Sequence, residues 1–151
     1  MSEYVSERRA IKILLAYWNQ LCNNRAFPQL EEIEQEEIRE IWPNCFIIEV
    51  RNDTEHQKYS CIYIGERAME LYQSNIKVYA ESQNIKLFFP QVIENLFDYL
   101  ESIVENQEPI IDESETESAD GNYIKIRQCL LPIGKNNEVT HIIGVIGGKI
   151  Y

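Results

Sequence analysis

Apolar positions recur every three to four residues near the start of the chain, at Ile11, Leu14, Leu15, Trp18 and Leu21. That spacing predicts a helix over residues 6–22 with a single apolar stripe. Ser6 is placed to cap it, Asn23-Asn24 to end it, and Pro28 to confirm the break. Leu30, Ile33, Ile38, Ile41 and Trp42, set in a Glu-rich stretch, predict a second short helix over 31–42 that stops at Pro43-Asn44. The period then drops to two. Phe46, Ile48 and Val50 share one face of a strand over 46–51, Asn52-Asp53 turns the chain, and Tyr59 to Ile64 reads as the hairpin partner, ended by Gly65. Glu66 to Tyr72 fits one or two helical turns, while Ile76, Val78 and Tyr79 fit either a short strand or an ordered loop within 73–89. From Pro90 the helical period returns through Ile93, Leu96, Phe97, Leu100 and Ile103-Val104, predicting a helix over 90–106. A short strand near 108–112 follows. Residues 122–132 alternate, with Ile124, Ile126, Gln128 and Leu130 on one face and Lys125, Arg127 and Cys129 on the other. A turn at Gly134–Asn137 leads into a last strand over 138–147.

That last strand carries His141, Ile143 and Val145 on one face and Thr140, Ile142 and Ile146 on the other. Both faces are largely apolar, so both must be covered. The middle helices can cover one. The N-terminal helix, or a partner chain, must cover the other. Strands adjacent in sequence favour antiparallel pairing, and the expected class is α+β. The expected organisation is one folding unit, with a helical extension over 1–43 and a core over 44–151, and no internal repeat is visible.

The 151 residues suit one domain, and 44% of them are hydrophobic, as a globular core requires. Charge narrows the partners. There are 25 acids against 14 bases, a net charge of −11, which repels nucleic acids and anionic membrane surfaces alike. The cluster of Arg8, Arg9 and Lys12 is flanked by Glu3 and Glu7. No apolar run reaches the ~18–20 residues of a membrane span. The acidic start, with no basic segment ahead of Ile11 to Trp18, does not read as a signal peptide, so a cytoplasmic location is expected. Cys22, Cys45, Cys61 and Cys129 are too scattered for a metal motif and read as small core side chains.

Candidate chemistry is sparse. Leu87 to Ile124 holds ten acids and no Lys or Arg, densest from Asp112 to Gly121. Neither calcium-loop register works: starting at Asp112 puts Glu117 where glycine is needed, and placing Gly121 there puts Arg127 at the last ligand position. The stretch reads as a solvated hairpin loop, with weak cation binding or an epitope for a basic partner as alternatives. His56 sits in a polar turn. His141 reads as a hydrogen-bonded core histidine, a polar anchor in a ligand pocket, or an axial haem ligand. No nucleophile elbow, zinc-protease helix or phosphate loop is present. Gly144, Gly147 and Gly148 more simply mark close backbone approach at a strand end. With no acid–base pair to name, the expectation is a protein that is not an enzyme, and neither a cofactor nor a metal is indicated.

Taken together, these residues resemble the single-domain PAS proteins of a divergent alphaproteobacterial branch. The resemblance runs through Leu15-Ala16-Tyr17-Trp18 with Leu21, Arg25 and Pro28; the acidic segment Ile38 to Pro43 and the strand Phe46 to Val50; the Tyr-rich strand Tyr59 to Gly65; Leu131-Pro132-Ile133; and the final strand Ile142 to Ile146. It covers residues 11–151. It implies a five-stranded antiparallel sheet with helices on one face, and a regulatory role without shared catalytic residues. PAS domains sense small molecules between sheet and helices, or act as dimerisation and docking modules.

Two roles follow as expectations. The first is a signalling module working by protein–protein contact, with a protein partner or a second copy in a homodimer, and the stripe Ile11, Leu14, Leu15 and Trp18 packing on the outer sheet face or on its copy. The second is a sensor holding a small apolar ligand among Ile93, Phe97, Ile126, His141 and Ile143, residues that also suit ordinary core packing.

Overall fold

The computed structural model describes residues 6–51, 58–74, 84–90, 92–117 and 120–151. The first helix, α1, spans Glu7–Cys22, and its Ser6 cap accepts a hydrogen bond from the Arg9 amide. Asn23 ends it in the left-handed region (φ 45°), which asparagine tolerates better than most residues. The Glu-rich stretch that follows is not an α-helix. It is three 3-10 turns, Leu30–Glu32, Gln35–Ile38 and Trp42–Asn44. Its apolar residues are too unevenly spaced to sustain one stripe, and the chain folds back under α1 instead. Arg25 clamps this return: its guanidinium binds the Glu32 carboxylate at 2.7 and 2.8 Å and the Leu21 and Cys22 carbonyls at 2.6 and 3.0 Å.

Hydrogen bonding from Arg25 holds the Glu32 carboxyl down at about 2. Its unfolded value is about 4.3, so the clamp is fully present above that pH and lost as pH falls toward the folded value. Stability is therefore expected to decline between these limits, with a slope that Arg25→Met reduces in acid titrations of the unfolding midpoint. The effect is small because both side chains are over a third exposed.

Five strands follow: β1 Cys45–Val50, β2 Tyr59–Ile64, β3 Ile110–Glu117, β4 Tyr123–Lys135 and β5 Glu138–Ile150. Between β2 and β3 come α2 (Glu66–Tyr72), the single turn α3 (Ile85–Phe88) and α4 (Ile93–Asn106). The sheet is antiparallel in the order β2-β1-β5-β4-β3. The turn expected at Asn52-Asp53, and most of the ambiguous 73–89 segment, lie outside the described residues. The long helix begins at Ile93, with Pro90 in the turn ahead of it. β4 and β5 meet through Asn136 and Asn137, both at positive φ, a tight hairpin turn whose backbone twist suits the strands.

The acidic run corrects the sequence reading. Asp112 to Glu117 is not loop but the greater part of β3, paired residue for residue with Tyr123–Gln128. Alternation makes this tolerable. Glu113 lies beside Lys125 and Arg127 of β4, which neutralise it across the strands, while Asp112 and Ser114 turn to the other face.

The two sheet faces are covered by different parts of the chain. Phe46, paired with Gly144 on the same face, packs edge-on against Tyr72 of α2 and Phe89 beyond α3, so Gly144, Ile142 and Ile146 of β5 face this inner helical layer. On the other parity, a Cβ at Gly147 would overlap the Glu7 backbone. His141, Ile143 and Val145 therefore face α1. Ala10, Ile11, Leu14 and Trp18 are buried there, and the Trp18 indole donates to the Pro132 carbonyl at 2.8 Å. Gly147 thus marks the close backbone approach expected of it.

Candidate functional site

The inner face combines an aromatic cluster with a buried polar chain. Phe46, Tyr72 and Phe89 are fully buried, with ring centroids 4.7–5.6 Å apart. Leu96, Leu100 and Ile103 of α4 complete this apolar layer. Beside it the Tyr72 hydroxyl donates to Gln128 Oε1. Gln128 Nε2 donates to Asp112 Oδ2 at 3.1 Å, Tyr99 of α4 donates to Asp112 Oδ1 at 2.7 Å, and Ser114 donates to Oδ2 at 2.6 Å. One hydrogen-bonded chain thus joins α2, β4, β3 and α4 and ends on a carboxylate. Burial opposes the charge of Asp112, but the donors from Ser114, Tyr99 and Gln128 outweigh it and hold the carboxyl below its ordinary value. Burial, then Asp112 itself, pushes the Tyr99 hydroxyl up to about 12, and burial drives Tyr72 well above the ordinary tyrosine value. Both phenols therefore stay protonated and act as donors. A second tie holds α4 to β2, where Tyr59 and Lys58 both donate to Glu101.

Residues 6–147 match the PAS domain family. The chain belongs to that family. It is a PAS sensory and signalling domain, and the match does not single out any branch. No curated protein matches it at significance. Among solved structures, it is similar to the PAS domain of a Colwellia psychrerythraea protein, with 20% identity over 74% of this chain and 92% of that one (TM-score 0.48). A domain of a light and redox sensing histidine kinase from Haloarcula marismortui has 16% identity over 70% and 89% (TM-score 0.46). The fungal blue-light photoreceptor Vivid has 14% identity over 88% and 92% (TM-score 0.46).

Within this PAS domain the residues expected to line one pocket, where their side chains are described, fall on both faces of the sheet. Ile126 pairs with Gly148 and faces the inner helices, as does half-buried Phe97, whose ring lies 6.2 Å from that of Tyr59. His141 and Ile143 face α1 on the opposite side of the sheet, and Ile93 starts α4. The reason is strand parity. Ile143 is five residues from Gly148 on an unbroken register, so the two side-chain positions point opposite ways. His141 is half-buried beside Thr140 and 3.9 Å from Glu49, and burial lowers its pKa against the pull of Glu49 and Glu31. Its neighbours belong to the outer layer, not to the inner cleft.

The stripe of Ile11, Leu14 and Trp18 packs on this chain's own sheet, with Leu15 partly buried against the same core. Of the two coverings expected for it, the structure shows the outer sheet face. All four cysteines are buried, and burial pushes Cys129 and Cys61 up to about 12, which keeps them as thiols. Among the described residues no cluster of His, Cys, Asp and Glu could hold a metal, and no helix is long and apolar enough to cross a membrane.

The polar chain escaped the sequence reading for a definite reason. Gln128 stood out as the one polar residue on an apolar strand face, and that was its signal. Asp112 was hidden in the acidic run, and Tyr72 and Tyr99 meet it only through the fold.

Proposed function

We propose that this PAS domain is a non-catalytic regulatory module that acts by protein–protein contact, and that the contact is made along β3. One observation carries the reading: β3 is the end of the sheet, eight residues of strand with no described strand on its outer side. Such an edge offers unpaired backbone donors and acceptors to an added strand. In a β3–β3 pairing the acidic row Glu113, Glu115 and Glu117 would face the same row of the second copy, so a partner with basic residues is favoured over self-association through this edge. The packing of Phe46, Tyr72 and Phe89 against one another on the inner face also favours contact over a ligand held there.

Photo-cross-linking in the native host tests this. A photoreactive residue at Glu117 is expected to capture a protein partner, and one at Glu105, an exposed position of α4, is expected to capture none. Equal capture at both positions, or none at Glu117, overturns the reading. Native mass spectrometry is expected to give the mass of the bare chain. A retained species of a few hundred daltons that is lost on substituting inner-face residues replaces contact with small-ligand sensing.

A further inference from the structure

Beside α1 the outer face is only partly covered. The helix lies over β4 and β5 and leaves a groove between its own flank and β3, with a volume of about 590 Å³. We propose that this groove binds a small amphipathic anion, a carboxylate or phosphate carried on an apolar body, with Arg8, Lys12 and Arg127 taking the charge and Ile11 and Ile111 the body.

Several observations meet here. The volume falls within the ~300–1,000 Å³ typical of small-molecule sites. The lining charge is reversed relative to the molecule: the net charge of the chain is −11, yet among the described residues every ionisable side chain lining the groove is basic. Arg9 is already held by Glu40 at 2.9 and 3.1 Å, but Arg8 and Lys12 form no ion pair among the described residues. Arg127 reaches Glu113 through Nη2 at 3.2 Å, and its buried Nε–H meets no acceptor among the described residues. The guanidinium has further donors that the single Glu113 contact leaves unused, and a carboxylate or phosphate suits them. The first turn of α1 adds partial positive charge at the same end. The apolar side is equally specific. Ile111 is 55% exposed, and its side chain lies on the α1 face of β3, opposite Cys129. An apolar body laid between Ile11 and Ile111 would cover that surface while its acidic end meets the guanidinium. Inorganic anions satisfy only half of this description, and neutral alcohols only the other half.

The test is calorimetric titration of the whole chain with octanoate, octyl phosphate, octanol and inorganic phosphate. Saturable binding of the two amphipathic anions at one per chain is expected, weaker with added salt, with octanol and inorganic phosphate binding at least tenfold more weakly. The δ-methyl resonances of Ile11 and Ile111 are expected to shift on saturation. Arg127→Gln is expected to weaken binding at least tenfold. Because Arg127 lies within the sheet, the double variant Arg8→Gln/Lys12→Gln, on exposed helix positions, supplies the same readout in a chain whose folding is unaffected. Absence of saturable binding by either anion overturns the proposal. So does octanol or inorganic phosphate binding as tightly, or an affinity within twofold of the parent in both variants. The inference stands apart from the β3 contact. A small species retained in mass spectrometry and lost in Arg127→Gln belongs to this groove and leaves the contact reading intact.

Discussion

Replacing Trp18 with alanine is expected to lower the unfolding free energy by about 3–5 kcal/mol, the range for truncating a buried large aromatic. The indole is 6% exposed, sits between α1 and the sheet, and donates through Nε1 to the Pro132 carbonyl at 2.8 Å. Trp18→Phe separates the two contributions. It keeps most of the packing and removes the donor, so about 1–3 kcal/mol is expected from a carbonyl left without this partner. Urea denaturation followed by far-UV circular dichroism measures both. A loss under about 0.5 kcal/mol for the alanine variant, the scale of an ordinary surface change, would place the ring outside the core and detach α1 from the sheet.

Gln128→Leu is expected to cost about 2–3 kcal/mol, although the strand face around it is apolar and leucine suits the position by volume. The cost comes from what is stranded: the buried Tyr72 hydroxyl loses its acceptor, and Asp112 loses a donor. Adding Tyr72→Phe should recover part of the loss, because removing both partners leaves fewer orphans than removing one. The double-mutant cycle measures that coupling. A pH signature accompanies it. Asp112 is held below its ordinary value in the folded chain, so its contribution is present above the unfolded value, about 3.9, and is lost as pH falls through the folded one. With one donor gone the gap narrows, and stability should vary less across that acid window in Gln128→Leu than in the parent. Additive single-variant costs with an unchanged acid limb would reduce the chain of hydrogen bonds to unconnected pairs.

Much of the architecture was legible from local pattern. The capped stripe of α1, the β1–β2 pair, the stripe of α4 and the two long terminal strands each carry a clear period, and a period is a property of neighbours in sequence. Two-sided coverage of the last strand was legible too, because apolar residues occupied both parities of one segment. The Glu-rich stretch 31–42 and the acidic part of β3 beyond the short strand expected near 108–112 were misread for a common reason. Acidic composition masked what tertiary pairing supplies: Arg25 on Glu32 of the first 3-10 turn in one case, and cross-strand Lys125 and Arg127 in the other.

The candidate site was far less legible. Grouping Ile126 with His141 and Ile143 treated two strands as though they shared a face, and a face is assigned only once register is known. Nor could the sequence bring Tyr72, Tyr99 and Asp112 to Gln128, or Ile111 and Arg127 to the flank of α1. By itself, then, the sequence determined the elements, their order, the acidic charge and the need to bury the final strand on both sides. Only the tertiary structure decided which side chains meet. Periodicity is set by the geometry of one segment, whereas a site is made where segments distant in the chain are brought together.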